Sequence, residues 1–208
     1  MPAKPNERQY RALMAPLSAR SDGEKRIDSE CYVEGYASTF DDPYVLWESY
    51  DGDKFYEIVS ADAFRDADFS DVIMQYDHQG KVLARTSNRS LIVEPDKHGL
   101  FVAADLSGSQ AARDLYEEIR SGLVTRMSWA FTIAAEEYDR ETHTSTITRV
   151  KKVYDVSAVS YPADPNTEIS ARNLLNGEIE QSRKELARRR SALAIARAAM
   201  AIAKSRKV

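Results

Sequence analysis

A serine becomes a nucleophile when a neutral imidazole lies within hydrogen-bond reach, and a carboxylate can hold that imidazole in the useful tautomer. Ser128, His78 and Asp155 offer these three groups from separate segments of the chain. His78 closes the run Val72–Asp77, whose alternation puts Val72, Met74, Tyr76 and His78 on one face of a predicted strand. Gln79-Gly80 follows, so the imidazole stands beside a flexible residue and can reach a neighbouring strand. Ser128 lies in the clearest strand pattern. Leu123, Met127, Trp129, Phe131 and Ile133 share one face, and Val124, Arg126, Ser128, Ala130 and Thr132 share the other. Asp155 is the only acid of a predicted strand over 153–160, on a face with Val153, Ser157 and Val159. Asp77 is a poor orienter of His78, because adjacent strand residues point to opposite faces.

Each of the three also has an ordinary reading. His78 can be a half-buried histidine bonded to a carbonyl, Ser128 a small residue making room, and Asp155 an edge residue facing water. His98 and His143 fall in turns and read as solvent-facing. The doublets Glu117-Glu118 and Glu136-Glu137 read as solvated faces rather than paired catalytic acids. No glycine-rich phosphate loop or zinc-protease helix motif occurs, and Ser128 lacks the flanking glycines of a nucleophile elbow. Three scattered histidines make a metal-dependent hydrolase the weakest enzymatic reading. Cys31, the single cysteine, excludes an internal disulfide and a Cys-rich zinc site.

The elements that must position these groups come from a chain of 208 residues with 43% hydrophobic content, enough for a substantial core. The net charge of −4 argues against general coating of nucleic acid. No apolar run is long enough to cross a membrane as a helix. The charge is partitioned: 172–208 carries a net +7 and the rest a net −11. This step separates a body over 29–172 from a basic helical tail over 173–208, and Pro2, Pro5 and Pro16 among polar residues mark 1–28 as mostly a flexible arm. Within the body, strands are predicted over 31–40, 55–59, 72–78, 146–150 and 153–160, and 44–54 reads as a loop. A hairpin spans 89–106 with its tip at Pro95–Gly99. Ser109 caps a helix over 110–121, with Ala112, Leu115, Tyr116 and Ile119 as its stripe and Gly122 as its end. A charged turn is expected over 136–144, and Pro162–Asn166 ends the sheet. In the tail, Ile179, Leu186, Leu193 and Met200 recur every seven residues, but Ser182, Arg189, Ala196 and Ala203 leave the seam half-formed. A helix with so thin a stripe needs a partner. The fold class is therefore α+β, mainly β: a closed or partly open barrel with flanking helices and a C-terminal helical extension.

The ordered set of segments resembles the prohead serine proteases of tailed phages, a family related to herpesvirus assemblins. The resemblance runs through VEGYASTFDD (33–42), EIVSADAF (57–64), VIMQYDHQGKVLARTSNRSL (72–91), HGLFVAADLSGSQAARDLYEEIRSGLVTRMSWAF (98–131) and VYDVSAVSYPADPNTEISAR (153–172). It implies that His78 is the general base, Ser128 the nucleophile and Asp155 the acid. The family often has Asn before the histidine, a smaller aromatic with Gly after the serine, and Glu as the acid; here Asp77, Trp129 and Asp155 stand there. The implied activity is capsid maturation inside the assembling prohead, in the host cytoplasm. The implied substrates are scaffold, scaffold-like capsid segments and the protease's own termini, with no cofactor or metal. Assemblin relatives act as dimers, so a homodimer is a further expectation. The tail then has two readings: it docks on scaffold or capsid helices and is lost by self-cleavage, or it is a solvated, partly disordered extension. The competing reading is a non-enzymatic β-barrel assembly module of the phage head.

Overall fold

The computed structural model describes residues 7–19, 25–49, 52–160 and Arg188. Ten strands and one α-helix fill this region: β1 (Gln9–Ser18), β2 (Tyr32–Thr39), β3 (Tyr44–Glu48), β4 (Lys54–Val59), β5 (Ile73–Tyr76), β6 (Gln79–Arg85), β7 (Leu91–Pro95), β8 (Gly99–Asp105), α1 (Gln110–Arg120), β9 (Arg126–Asp139) and β10 (Thr144–Val159). The sheet runs in the order β3-β4-β10-β9-β1-β2-β8-β7, and β5 pairs with both β10 and β6. Among the described residues no pairing joins the ends β3 and β7, so the sheet is open there. The fold is mainly β, as expected. The turn at 162–166 and, Arg188 apart, the expected tail lie outside the described residues.

Alternation builds the core. Met127, Trp129 and Phe131 of β9 and Val153, Val156 and Ala158 of β10 project into one apolar cluster with Leu100, Val102 and Phe64. Trp129 and Phe131 stack with ring centroids 3.6 Å apart. Helix α1 covers this cluster with Ala112, Leu115 and Ile119. Burying Leu115 and Ile119 stabilises the fold by about 1.5–3 kcal/mol each. Ser109 caps the helix by accepting from the Ala112 N–H at 3.1 Å, and Gly122, at a φ of +78°, lets the chain turn away. Gly99 sits where β2 and β8 come together. A Cβ there would lie 2.0 Å from the Ser38 carbonyl oxygen, so no larger residue is accommodated without moving the backbone.

Four expectations need correction. Residues 9–18, read as part of a flexible arm, form β1. This strand pairs with β9 from Gln9 to Pro16 and with β2 at Leu17 and Ser18. Its polar composition suggested an arm, but Arg11 is buried and bonded to Glu57 of β4. Pro16 is accommodated at a register shift, where its missing N–H interrupts the ladder least. The loop expected over 44–54 contains β3, which forms a hairpin with β4 and is joined to it by a Trp47–Phe55 ring contact. The charged turn expected over 136–144 is shorter, because β9 continues to Asp139. The two strands expected over 146–150 and 153–160 are one bulged strand, β10. Lys151 and Lys152 break the apolar alternation without ending the backbone pairing.

Candidate active site

Ser128, His78 and Asp155 come from three neighbouring parts of the sheet, and its register brings them together. In the antiparallel β9–β10 pair, Ser157 faces Ser128 and Asp155 faces Ala130. A bulge between Val153 and Asp155 rotates the acid. Val153 pairs with core-facing Phe131, whereas Asp155 pairs with Ala130 on the side that carries Ser128. The expected shared face of Val153 and Asp155 is therefore broken, and this turns the carboxylate from the apolar core towards the histidine.

His78 is not at the end of an alternating strand. Strands β5 and β6 form a hairpin in which Tyr76 pairs with Gln79, leaving Asp77 and His78 as a two-residue turn. Both have left-handed backbones, with φ of +47° and +58°. This matches a type I′ hairpin turn. Asp and His enter this region more readily than most residues, but each still costs about 1–3 kcal/mol there. Contacts with β10 hold the turn. The Asp77 N–H donates to the Ala158 carbonyl at 3.0 Å, and the His78 N–H donates to Ser157 Oγ at 3.2 Å. The Ser160 N–H donates to Asp77 Oδ1 at 3.3 Å.

The imidazole spans the two other groups. Its Nε2 lies 2.6 Å from Ser128 Oγ, and its Nδ1 makes a short contact with Asp155 Oδ1. Ser128 and Asp155 are each only 3% exposed, whereas the His78 side chain keeps 16% of its surface open. The opening to solvent is thus at His78. Tyr10 of β1 packs edge-on against the imidazole, with ring centroids 4.9 Å apart. Ser128 Oγ also donates to the Arg11 carbonyl at 2.9 Å. Trp129, bulky for its position beside the serine, points the other way and is fully buried in the core. Asp155, one methylene shorter than Glu, still reaches Nδ1.

A model of the caudovirus prohead serine protease family matches residues 17–181. The chain belongs to that family. This protein is therefore a serine peptidase, and the non-enzymatic reading gives way. Its family acts on capsid protein within the assembling phage head. No curated protein matches the chain, and no solved structure does. No helix of the described residues is long and apolar enough to cross a membrane. Among them, no group of three His, Cys, Asp or Glu side chains converges as a metal site would require.

Beside this site lies a second buried polar cluster that composition did not reveal. Arg11 grips Glu57 with two bonds, Nε to Oε1 at 2.6 Å and Nη2 to Oε2 at 2.8 Å, and the Tyr44 hydroxyl donates to the same carboxylate. Burial alone would lower the Arg11 pKa, but the facing Glu57 charge outweighs it and the value is raised. Burial and then Glu57 push the Tyr44 phenol well above its ordinary value, so it stays protonated and donates. Arg11 belongs to both clusters, since its carbonyl meets Ser128 while its guanidinium meets Glu57. The buried polar residues Gln9 and Arg11 give no hydrophobic alternation to read, which concealed β1 and its contact with Glu57.

Proposed function

We propose that this protein hydrolyses peptide bonds through Ser128 as nucleophile, His78 as general base and Asp155 as the acid that orients it. The observation that carries this reading is the 2.6 Å approach of Ser128 Oγ to His78 Nε2, with Asp155 on the opposite ring nitrogen. Asp155 keeps a proton on Nδ1, so the Nε2 lone pair faces the serine. The Ser128 hydroxyl has one proton and two acceptors, His78 Nε2 and the Arg11 carbonyl. Donation to Arg11 is a resting arrangement, and the proton must turn to His78 for attack.

In the first step His78 takes the proton as Oγ adds to the peptide carbonyl carbon. The C–N bond then breaks, and the leaving amine takes the proton from His78. A water next gives its proton to His78 and adds to the acyl carbon. Breaking the ester frees the carboxylic product and restores Ser128 with its proton.

The substrates on this reading are scaffold or scaffold-like segments of the capsid protein, and the chain's own termini. The basic segment over 173–208 is a candidate for self-removal, supported by the change in charge at Arg172. The curled sheet is read as a partly open barrel, supported by β1, which passes from pairing with β9 to pairing with β2.

Co-expression with the phage's capsid protein, followed by intact-mass measurement of both chains, tests the reaction. Wild type is expected to shorten the capsid protein and itself, and Ser128→Ala to leave both at full length. Equal processing by the two would overturn the role of Ser128.

A further inference from the structure

We propose that Ser157 is a positioning residue of this site, fixing the His78–Asp155 pair from both ends through one hydroxyl. The inference rests on the peptidase reading above. Ser157 faces Ser128 across the β9–β10 ladder, so its side chain lies on the same face as the nucleophile. It is fully buried. Its hydroxyl donates to Asp155 Oδ1 at 3.1 Å, the same oxygen that meets His78 Nδ1. It also accepts from the His78 backbone N–H at 3.2 Å. One side chain therefore sets where the carboxylate oxygen lies and how the histidine's backbone is turned.

The local chemistry explains why a hydroxyl is needed. His78 has a left-handed backbone, and its N–H points at β10 rather than along a ladder. A buried N–H without an acceptor is costly, so Ser157 answers a requirement of the turn. A hydroxyl accepts that bond and donates its own proton to the carboxylate at once. Alanine would remove both bonds. The Asp77 N–H would still hold the turn on the Ala158 carbonyl, so the hairpin stays attached while the imidazole and carboxylate lose their common reference. The expected defect is in activation of Ser128 rather than in folding. Threonine and valine have nearly the same shape at this position, and only threonine keeps the hydroxyl.

The test measures the rate at which a fluorophosphonate probe labels Ser128, together with thermal midpoints. It also follows the downfield His78 Nδ1–H proton resonance. Ser145→Ala is the control. This buried serine on β10 bonds Glu136 at 3.3 Å, away from the site. Ser157→Ala and Ser157→Val are expected to label roughly 10–100-fold more slowly, the effect of losing a hydrogen bond to a charged group. Their Nδ1–H resonance should broaden through exchange. Ser157→Thr should recover most of the rate and the resonance, and Ser145→Ala should match wild type. If Ser157→Ala labels as fast as a labelled wild type, or threonine rescues no better than valine, the role of Ser157 is overturned while the peptidase reading stands. A folded wild type that takes no label overturns the peptidase reading and this inference with it.

Discussion

Two buried polar clusters sit side by side in this sheet and share one residue. Around Glu57 each charge is answered: Arg11 grips the carboxylate with two bonds and Tyr44 adds a third. Around Ser128 the groups are arranged differently. A histidine with a strained backbone and a partly open side chain stands between a hydroxyl and a carboxylate. The first cluster is closed, with every polar group bonded to an opposite charge or a hydroxyl. The second holds a hydroxyl and an imidazole nitrogen facing each other at 2.6 Å. Burial of charge alone therefore does not mark a site. What sets this one apart is an imidazole nitrogen beside a serine hydroxyl, with one side reachable from solvent. Arg11 ties the two together, because the ion pair that anchors β1 also fixes the carbonyl on which the Ser128 hydroxyl rests.

The sharpest way to separate the clusters is to remove one charge from each. Asp155→Asn should reduce peptidase turnover by roughly 10⁴-fold, since an amide favours the wrong imidazole tautomer. Its fold should survive, as circular dichroism and a thermal melt would show. Glu57→Gln should give the opposite pattern. Leaving the Arg11 guanidinium buried without its partner charge should cost about 3–5 kcal/mol of stability in urea unfolding. Activity per folded molecule should fall far less than in Asp155→Asn. A Glu57 variant that stayed stable but lost turnover would mean that the second cluster belongs to the chemistry.

A smaller effect is expected away from both clusters, at the β7–β8 hairpin. Asp96 accepts from the His98 and Gly99 N–H groups and from the Tyr36 hydroxyl. Burial alone would raise the Asp96 pKa, and these bonds outweigh it, so the folded value is lowered. A lowered folded pKa means that the stabilisation is complete above the unfolded value, near ~4, and is lost as pH falls through the folded value. Asp96→Asn should flatten the decline in urea midpoint between about pH 5 and pH 2. An unchanged slope would show that the hairpin tip contributes nothing to acid sensitivity.

Much of this was legible in the residues because local rules and tertiary demands agreed. Ser109, the stripe Ala112–Leu115–Ile119 and Gly122 marked α1 from cap to end, and the alternation through Trp129 and Phe131 marked β9. His78, Ser128 and Asp155 could be singled out as chemical groups, but not the geometry that joins them. The turn at Asp77-His78 lacks the glycine that usually signals a two-residue hairpin. The bulge before Asp155 reverses a face that strict alternation assigned to the core side. Strand β1 was hidden for a related reason: Gln9 and Arg11 occupy interior positions that hydrophobic patterning reserves for apolar residues. Ser157 left no mark, since a serine in a strand becomes significant only when its neighbours across the ladder are known.

The most direct measurement is peptide mapping of the fluorophosphonate adduct in wild type and in His78→Ala. Modification is expected at Ser128 in wild type, and a folded His78→Ala protein should take up almost none. Modification at a different serine, or unchanged labelling of Ser128 without His78, would contradict the roles of Ser128 and His78.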